Sequence, residues 1–219
     1  VVIPIKAIPD FADFLEELNL YYLARAYRKA LQQASELDQV DPGDEFIDME
    51  MTFTNKILKR KISSKKLPEQ EFELQIHYFF QDLINRYPRH AQDLEAIHRH
   101  MSATRIIIAN HMHAGDGNCH VNLPVNSNDP EMLRLADEAA GKVFNKVLEL
   151  SGSISGEHGI GITKIAFLDQ KKIQDLFIYK QQVDPKNLLN PGKLVQSGIQ
   201  QIPYTFSFNR LIQDIAKTS

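Results

Sequence analysis

An α+β fold is what this sequence predicts, and three observations predict it. Short runs rich in apolar and β-branched residues stand at 1–6, 104–109, 119–125 and 152–155. A long stretch of good helix formers separates the first run from the second, and a single amphipathic period separates the third from the fourth. The order is strand, helical region, strand, strand, helix, strand. This is the split βαβ or ferredoxin-like pattern: an antiparallel sheet whose first crossover carries a large helical insertion.

Each element has its own signal. Residues 1–6 are short, apolar and β-branched, and Pro9-Asp10 then opens a helix whose Phe11, Phe14, Leu15 and Leu18 recur at helical spacing. The insertion, at about 20–101, predicts helices near 20–38, 45–60, 68–86 and 90–101. Asp41-Pro42-Gly43-Asp44 and Tyr87-Pro88 break them apart. Lys56, Lys59, Arg60, Lys61, Lys65 and Lys66 form a basic run, which most often is simply a solvated face. Ile106, Ile107 and Ile108 mark the second strand and 119–125 the third. Asp129-Pro130 is a proper helix start. Behind it Met132, Leu135, Ala136, Ala139, Val143, Phe144, Val147 and Leu148 trace an apolar stripe over 130–150. Residues 152–155 give a short strand and 169–183 a last amphipathic helix. Residues 196–219, interrupted by Pro203, read as a linker and terminal helix that follow a catalytic region of 1–195.

Composition narrows the classes. An apolar fraction of 43% over 219 residues is ordinary for a globular chain with a real core. Acidic residues outnumber basic ones by 28 to 25, so no basic bias argues for nucleic acid. One cysteine excludes an internal disulfide and fits a reducing, cytoplasmic setting. No signal peptide and no apolar run long enough to span a bilayer is found, and peripheral membrane attachment of a longer protein stays open. The chain starts on Val1, with no initiator methionine, and reads as a piece of something longer.

Chemistry concentrates in His111-Met-His113-Ala-Gly115-Asp116-Gly117-Asn118-Cys119-His120. Neutral imidazoles suit zinc or a similar divalent ion, and Asp116 is placed to orient one of them. His120 lies seven positions after His113, which on an unbroken strand puts them on opposite faces; a bulge or tight turn at 115–118 resets the phase. On this stretch alone, an ordinary Asx-Gly hairpin turn with surface histidines is an equal reading. The second motif, Ser155-Gly156-Glu157-His158-Gly159-Ile160-Gly161, brackets a carboxylate and an imidazole with glycines. Gly156 and Gly161 have phosphate-loop spacing, but Ile162 stands where the lysine belongs and Glu157 repels phosphate. Taken together, the two segments offer a His, His, Glu set with open positions, the pattern of a catalytic metal.

Three segments now resemble one family. His113-Ala-Gly-Asp-Gly-Asn-Cys-His120, Gly156-Glu-His-Gly-Ile-Gly161 with Lys164, and Asp184-Pro185 through Leu189-Asn190-Pro191-Gly192-Lys193 are similar to the signatures of the FAD-linked oxidase C-terminal domain. That family includes D-lactate dehydrogenases, glycolate oxidase flavin subunits and D-2-hydroxyglutarate dehydrogenase. The resemblance implies that His113, His120 and Glu157 bind a divalent metal such as zinc, that His158 is the catalytic base and that Asn190 approaches the flavin. It implies a small 2-hydroxy acid as substrate, with hydride passing to an FAD held mainly by a separate N-terminal domain of the same protein. Such a fragment alone is expected to be inactive. The insertion and Phe206-Ser207-Phe208-Asn209 resemble the branch in which an iron-sulfur domain follows. Two residues depart from the pattern: Cys119 replaces an aliphatic residue, and His111 is an added histidine. A metal-dependent hydrolase is the alternative, but it needs more acidic ligands than Asp116 and Glu157. A noncatalytic interaction module is the third reading.

Overall fold

The computed structural model describes residues 1–191 apart from 39, 42, 162 and 163. They separate into two compact units. One comprises Val1–Phe11, Asn110–Val121 and the described residues from Ser127; the other comprises Ala12–Ala109 and Asn122–Asn126. The helical insertion expected of the first crossover makes up this second unit. The linker and helix expected at 196–219, including Phe206 to Asn209, lie outside the described residues, as do Gly192 and Lys193 of the third motif.

β1 (Ala109–His113) and β2 (Asn118–Asn122) form an antiparallel hairpin, of which residues 110–113 and 118–121 belong to the first unit. Val2 bridges antiparallel to Asn118 on one side and to Ser153 on the other. Its N–H donates to the Ser153 carbonyl at 2.8 Å, and the Ser153 N–H returns a bond to the Val2 carbonyl at 2.8 Å. Cys119 N–H donates to the Val1 carbonyl at 2.9 Å and Ile3 N–H to the Gly117 carbonyl at 2.8 Å. The lateral order is therefore Ser153, first segment, β2, β1. The first segment is central and every neighbour antiparallel, which is the ferredoxin-like arrangement.

The strands are shorter than their sequence signals, and the causes are local. The first closes after Ile3 because Pro4 has no N–H to continue a ladder, and Ile5–Ala7 turn into a 3-10 helix. The strand expected at 104–109 is displaced. A helix over Ala91–Thr104 takes up its first residue, and 106–108 lie outside the sheet. Asn19 explains this: its side-chain amide donates to the Ile108 carbonyl at 3.0 Å and accepts from the Ile108 N–H at 2.8 Å. Both backbone groups of Ile108 are thereby taken up.

Helices follow the predicted breaks. α1 (Ile8–Ser35) is a single helix where the sequence suggests two, since nothing in Asn19-Leu20-Tyr21 interrupts it. α2 (Glu45–Leu58), α3 (Glu69–Arg86) and α4 (Ala91–Thr104) complete the helical unit. Its core gathers Leu23, Tyr27, Leu31, Phe72, Ile76, Phe80 and Leu94, all nearly sealed from water. Tyr27 meets Phe72, Phe79 and Phe80 edge-on at centroid distances of 5.7, 5.9 and 6.3 Å, and its hydroxyl donates to Glu50 at 3.0 Å. Asp44 caps α2 by accepting the Phe46 N–H at 2.8 Å, and it also holds the Tyr87 hydroxyl and Arg86. Burial pushes the Asp44 carboxyl up, but these partners outweigh it and leave it below the usual range. In the basic run, Lys65 reaches Asp13 at 2.5 Å.

The first unit is completed by α5 (Pro130–Glu149) and α6 (Gln170–Val183). Asp129 caps α5 by accepting from the Glu131 and Met132 N–H groups, both at 3.0 Å. The buried face of α5 carries Met132, Leu133, Ala136, Ala139, Val143 and Val147. Leu148 is exposed, so the apolar stripe is narrower than its residues suggest. Among the described residues, no helix is long and apolar enough to cross a membrane.

Candidate metal centre

The hairpin that carries the histidines is built by its turn. Four residues, 114–117, link β1 to β2. The Asp116 N–H donates to the His113 carbonyl at 3.1 Å, and the Asp116 carboxylate accepts the Asn118 N–H at 3.0 Å. Asp116 thus closes an Asx turn and is engaged with backbone, where the sequence suggests a partner for an imidazole. Gly117 has φ +75°, and a Cβ on it would lie 2.1 Å from the Ile3 carbonyl oxygen. Only glycine fits there. The turn resets the strand phase, so His111, His113 and His120 share one face of the hairpin. His111 stacks on His120 with centroids 4.7 Å apart and planes 6° from parallel, while His113 meets His120 edge-on at 6.3 Å.

The glutamate arrives from the loop after Ser153. Gly156 lets that loop press on the central segment, since a Cβ there would come 2.4 Å from the Val2 side chain. Glu157 Oε2 lies 3.2 Å from His120 Nε2 and 3.9 Å from His158 Nε2. One ligand atom from each of His120, Glu157 and His158 falls within 4.8 Å of the others. An ion with bonds of about 2.0–2.2 Å holds neighbouring donors roughly 3 to 3.5 Å apart, a spacing that His120 Nε2 and Glu157 Oε2 already have at 3.2 Å. The other carboxylate oxygen of Glu157 accepts a short hydrogen bond from the Asn118 side-chain amide. Side-chain exposure rises from 26% at His120 through 47% at Glu157 to 76% at His158, so the cluster opens to solvent on the His158 side.

Of the residues the sequence nominates, His120, Glu157 and His158 come together. His113 lies beside His120 but outside that group of three. Asn190 belongs to a separate scaffold. Asp184 there accepts the Leu188 and Leu189 N–H groups at 2.8 and 2.9 Å, and Lys180 Nζ donates to Asp184 at 2.8 Å and to the Leu189 carbonyl at 2.6 Å. The Lys180 hydrogen bond leads the causes that hold the Asp184 carboxyl below the usual range. This frame presents Asn190, exposed and in a left-handed conformation at φ +45°. Burial lowers the Lys164 ammonium and raises the Cys119 thiol, so Cys119 is kept as a neutral core residue. Sequence reasoning passed over Asn118, treating it only as a turn former. Its place two residues before His120, on the same face of β2, was the available signal.

Comparison with known proteins decides the family. Residues 74–194 match the FAD linked oxidases, C-terminal domain. The chain belongs to this family. It is 41% identical over 104 residues to the glycolate oxidase subunit GlcD of Escherichia coli, a stretch covering 46% of this chain and 21% of that protein. It is 33% identical over 88 residues to the probable mitochondrial D-lactate dehydrogenase of Danio rerio, covering 38% and 18%. It is 33% identical over 91 residues to the D-2-hydroxyglutarate dehydrogenase of Xanthomonas citri pv. viticola, covering 39% and 19%. The matched stretch is thus about a fifth of each relative's length.

Proposed function

We propose that this chain is the C-terminal catalytic part of a flavin-dependent dehydrogenase that oxidises a small 2-hydroxy acid. The observation that carries the reading is the meeting of His120 with the adjacent pair Glu157 and His158 on one open face, from two segments remote in sequence. Residues 1–195 would form the substrate and metal domain, with the helical unit inserted, and 196–219 a following linker and helix. An iron-sulfur domain beyond it is the partner that the tail suggests.

His120 and Glu157, with His113 beside them, would hold a divalent metal such as zinc. Bound there, the metal would lower the pKa of a substrate hydroxyl and neutralise its carboxylate. Asn118 fixes the rotamer of Glu157. His158, the most exposed member of the cluster, would take the hydroxyl proton. FAD, held mainly by another domain, would accept the hydride that leaves Cα. Asn190 would face it. Loss of that hydride and that proton leaves a 2-oxo acid, which balances the reaction.

The test joins this chain to the flavin-binding domain of a relative and follows flavin bleaching by a series of 2-hydroxy acids. One of them should reduce the flavin, and His158→Gln should slow that reduction by about a hundredfold or more with the oxidised flavin spectrum unchanged. Reduction at the unaltered rate in His158→Gln would remove the histidine base from the mechanism.

A further inference from the structure

We propose that His111 is a positioning residue, an imidazole that lies flat on His120 and sets the plane in which His120 Nε2 faces Glu157. The inference rests on the metal reading of the site.

The strand fixes where His120 leaves the backbone, but not the direction its nitrogen points. Rotation about the last side-chain bond of histidine is broad and roughly two-fold, so something beyond the backbone must choose the ring plane. Three rings surround His120. His113 and His158 meet it edge-on, at 74° and 80°. His111 lies on its face, 6° from parallel with centroids 4.7 Å apart. The parallel stack lies on the face of the His120 ring and is lost when either ring turns.

The same geometry says what His111 is not. The lone pair of an imidazole nitrogen lies in the ring plane, and two stacked parallel rings do not share a plane. An ion in the plane of His120 sits off the plane of His111, so His111 does not ligate it in this arrangement. Its nitrogens are incidental and its flatness is the useful property. Cross-strand aromatic pairs on one face of a hairpin stabilise by this kind of contact.

Two variants separate shape from chemistry. His111→Phe keeps a flat ring and removes both nitrogens; His111→Ala removes the ring. The first readout is ring order at His120, from nitrogen and carbon relaxation of its labelled imidazole in the metal-free chain. The second is zinc affinity, from competition with a chromophoric chelator. His111→Phe should leave the His120 ring ordered and the zinc affinity close to that of the unaltered chain. His111→Ala should let the ring average between orientations and weaken zinc binding by about three- to tenfold. If His111→Ala leaves the ring as ordered as before, or if His111→Phe behaves like His111→Ala, the positioning role is overturned. An unaltered chain without zinc affinity would remove the metal reading instead, and ring order would still decide the role of His111.

Discussion

Replacing Asn118 by alanine tests how much the proposed metal centre depends on a residue outside its ligand set. Its side-chain amide donates to one oxygen of Glu157 while the other oxygen faces His120. A hydrogen bond to a charged acceptor contributes about 1.5–3 kcal/mol when fully shielded. Glu157 is 47% exposed, so water replaces part of that bond and a loss nearer about 1.4 kcal/mol applies. That corresponds to roughly a tenfold weaker zinc affinity. The backbone of Asn118 keeps its bond to Asp116 and its bridge to Val2 in the variant, so the hairpin should persist. Zinc titration of Asn118→Ala, Glu157→Gln and the double variant supplies the measurement. Asn118→Ala should weaken binding in the unaltered chain and add little once Glu157 is glutamine. Independent, additive losses would refute the idea that Asn118 acts through Glu157.

Two further predictions concern the units separately. Gly117→Ala forces a left-handed non-glycine residue against the Ile3 carbonyl, and it should lower stability by at least about 2 kcal/mol, read as a fall in melting temperature; an unchanged melting temperature would show that the central segment moves freely. In the helical unit, burial first and then the neighbouring His77 hold the pKa of His98 down, with its ring stacked on Phe80 at 4.7 Å. The unfolded chain then binds a proton at higher pH than the folded one. Stability from this residue is therefore complete above the ordinary histidine pKa of about 6.5, is lost as pH falls through it, and levels off below the lowered folded value. Urea midpoints against pH should show that decline, and His98→Phe should flatten it.

Much of the fold was legible because its signals are local. Asp129-Pro130 and the apolar period behind it give α5 its start and its face, and Tyr87-Pro88 separates α3 from α4. The sheet was legible in order but less so in extent. No local signal reveals that Asn19, remote in sequence, occupies the backbone of Ile108 and delays β1. At the site, glycine spacing located both loops, and parity along the strand raised the need for a turn between His113 and His120. The grip of Asn118 on Glu157 and the stacking of His111 depend on side-chain directions that only assembled strands define. Asp116 departs from the expected imidazole partner because a carboxylate two residues before a strand accepts from the backbone.

The central position of the first segment has a consequence for the order of assembly. The hairpin of β1 and β2 closes over a four-residue turn and is of the kind that forms within microseconds. Val2, by contrast, must find Asn118 and Ser153 after the whole helical unit has intervened in sequence. Such non-local pairing is slow, although each doubling of the closed loop adds only about 0.6 kcal/mol to its entropic cost. His120 therefore reaches its place early and Glu157 late. Amide exchange should find the link between Val2 and Ser153 opening before the helices do, and each opening would dismantle the cluster while leaving its histidine hairpin folded. Because loop cost grows so slowly, the inserted helices can lengthen or shorten between relatives with little penalty to the sheet that gathers the site.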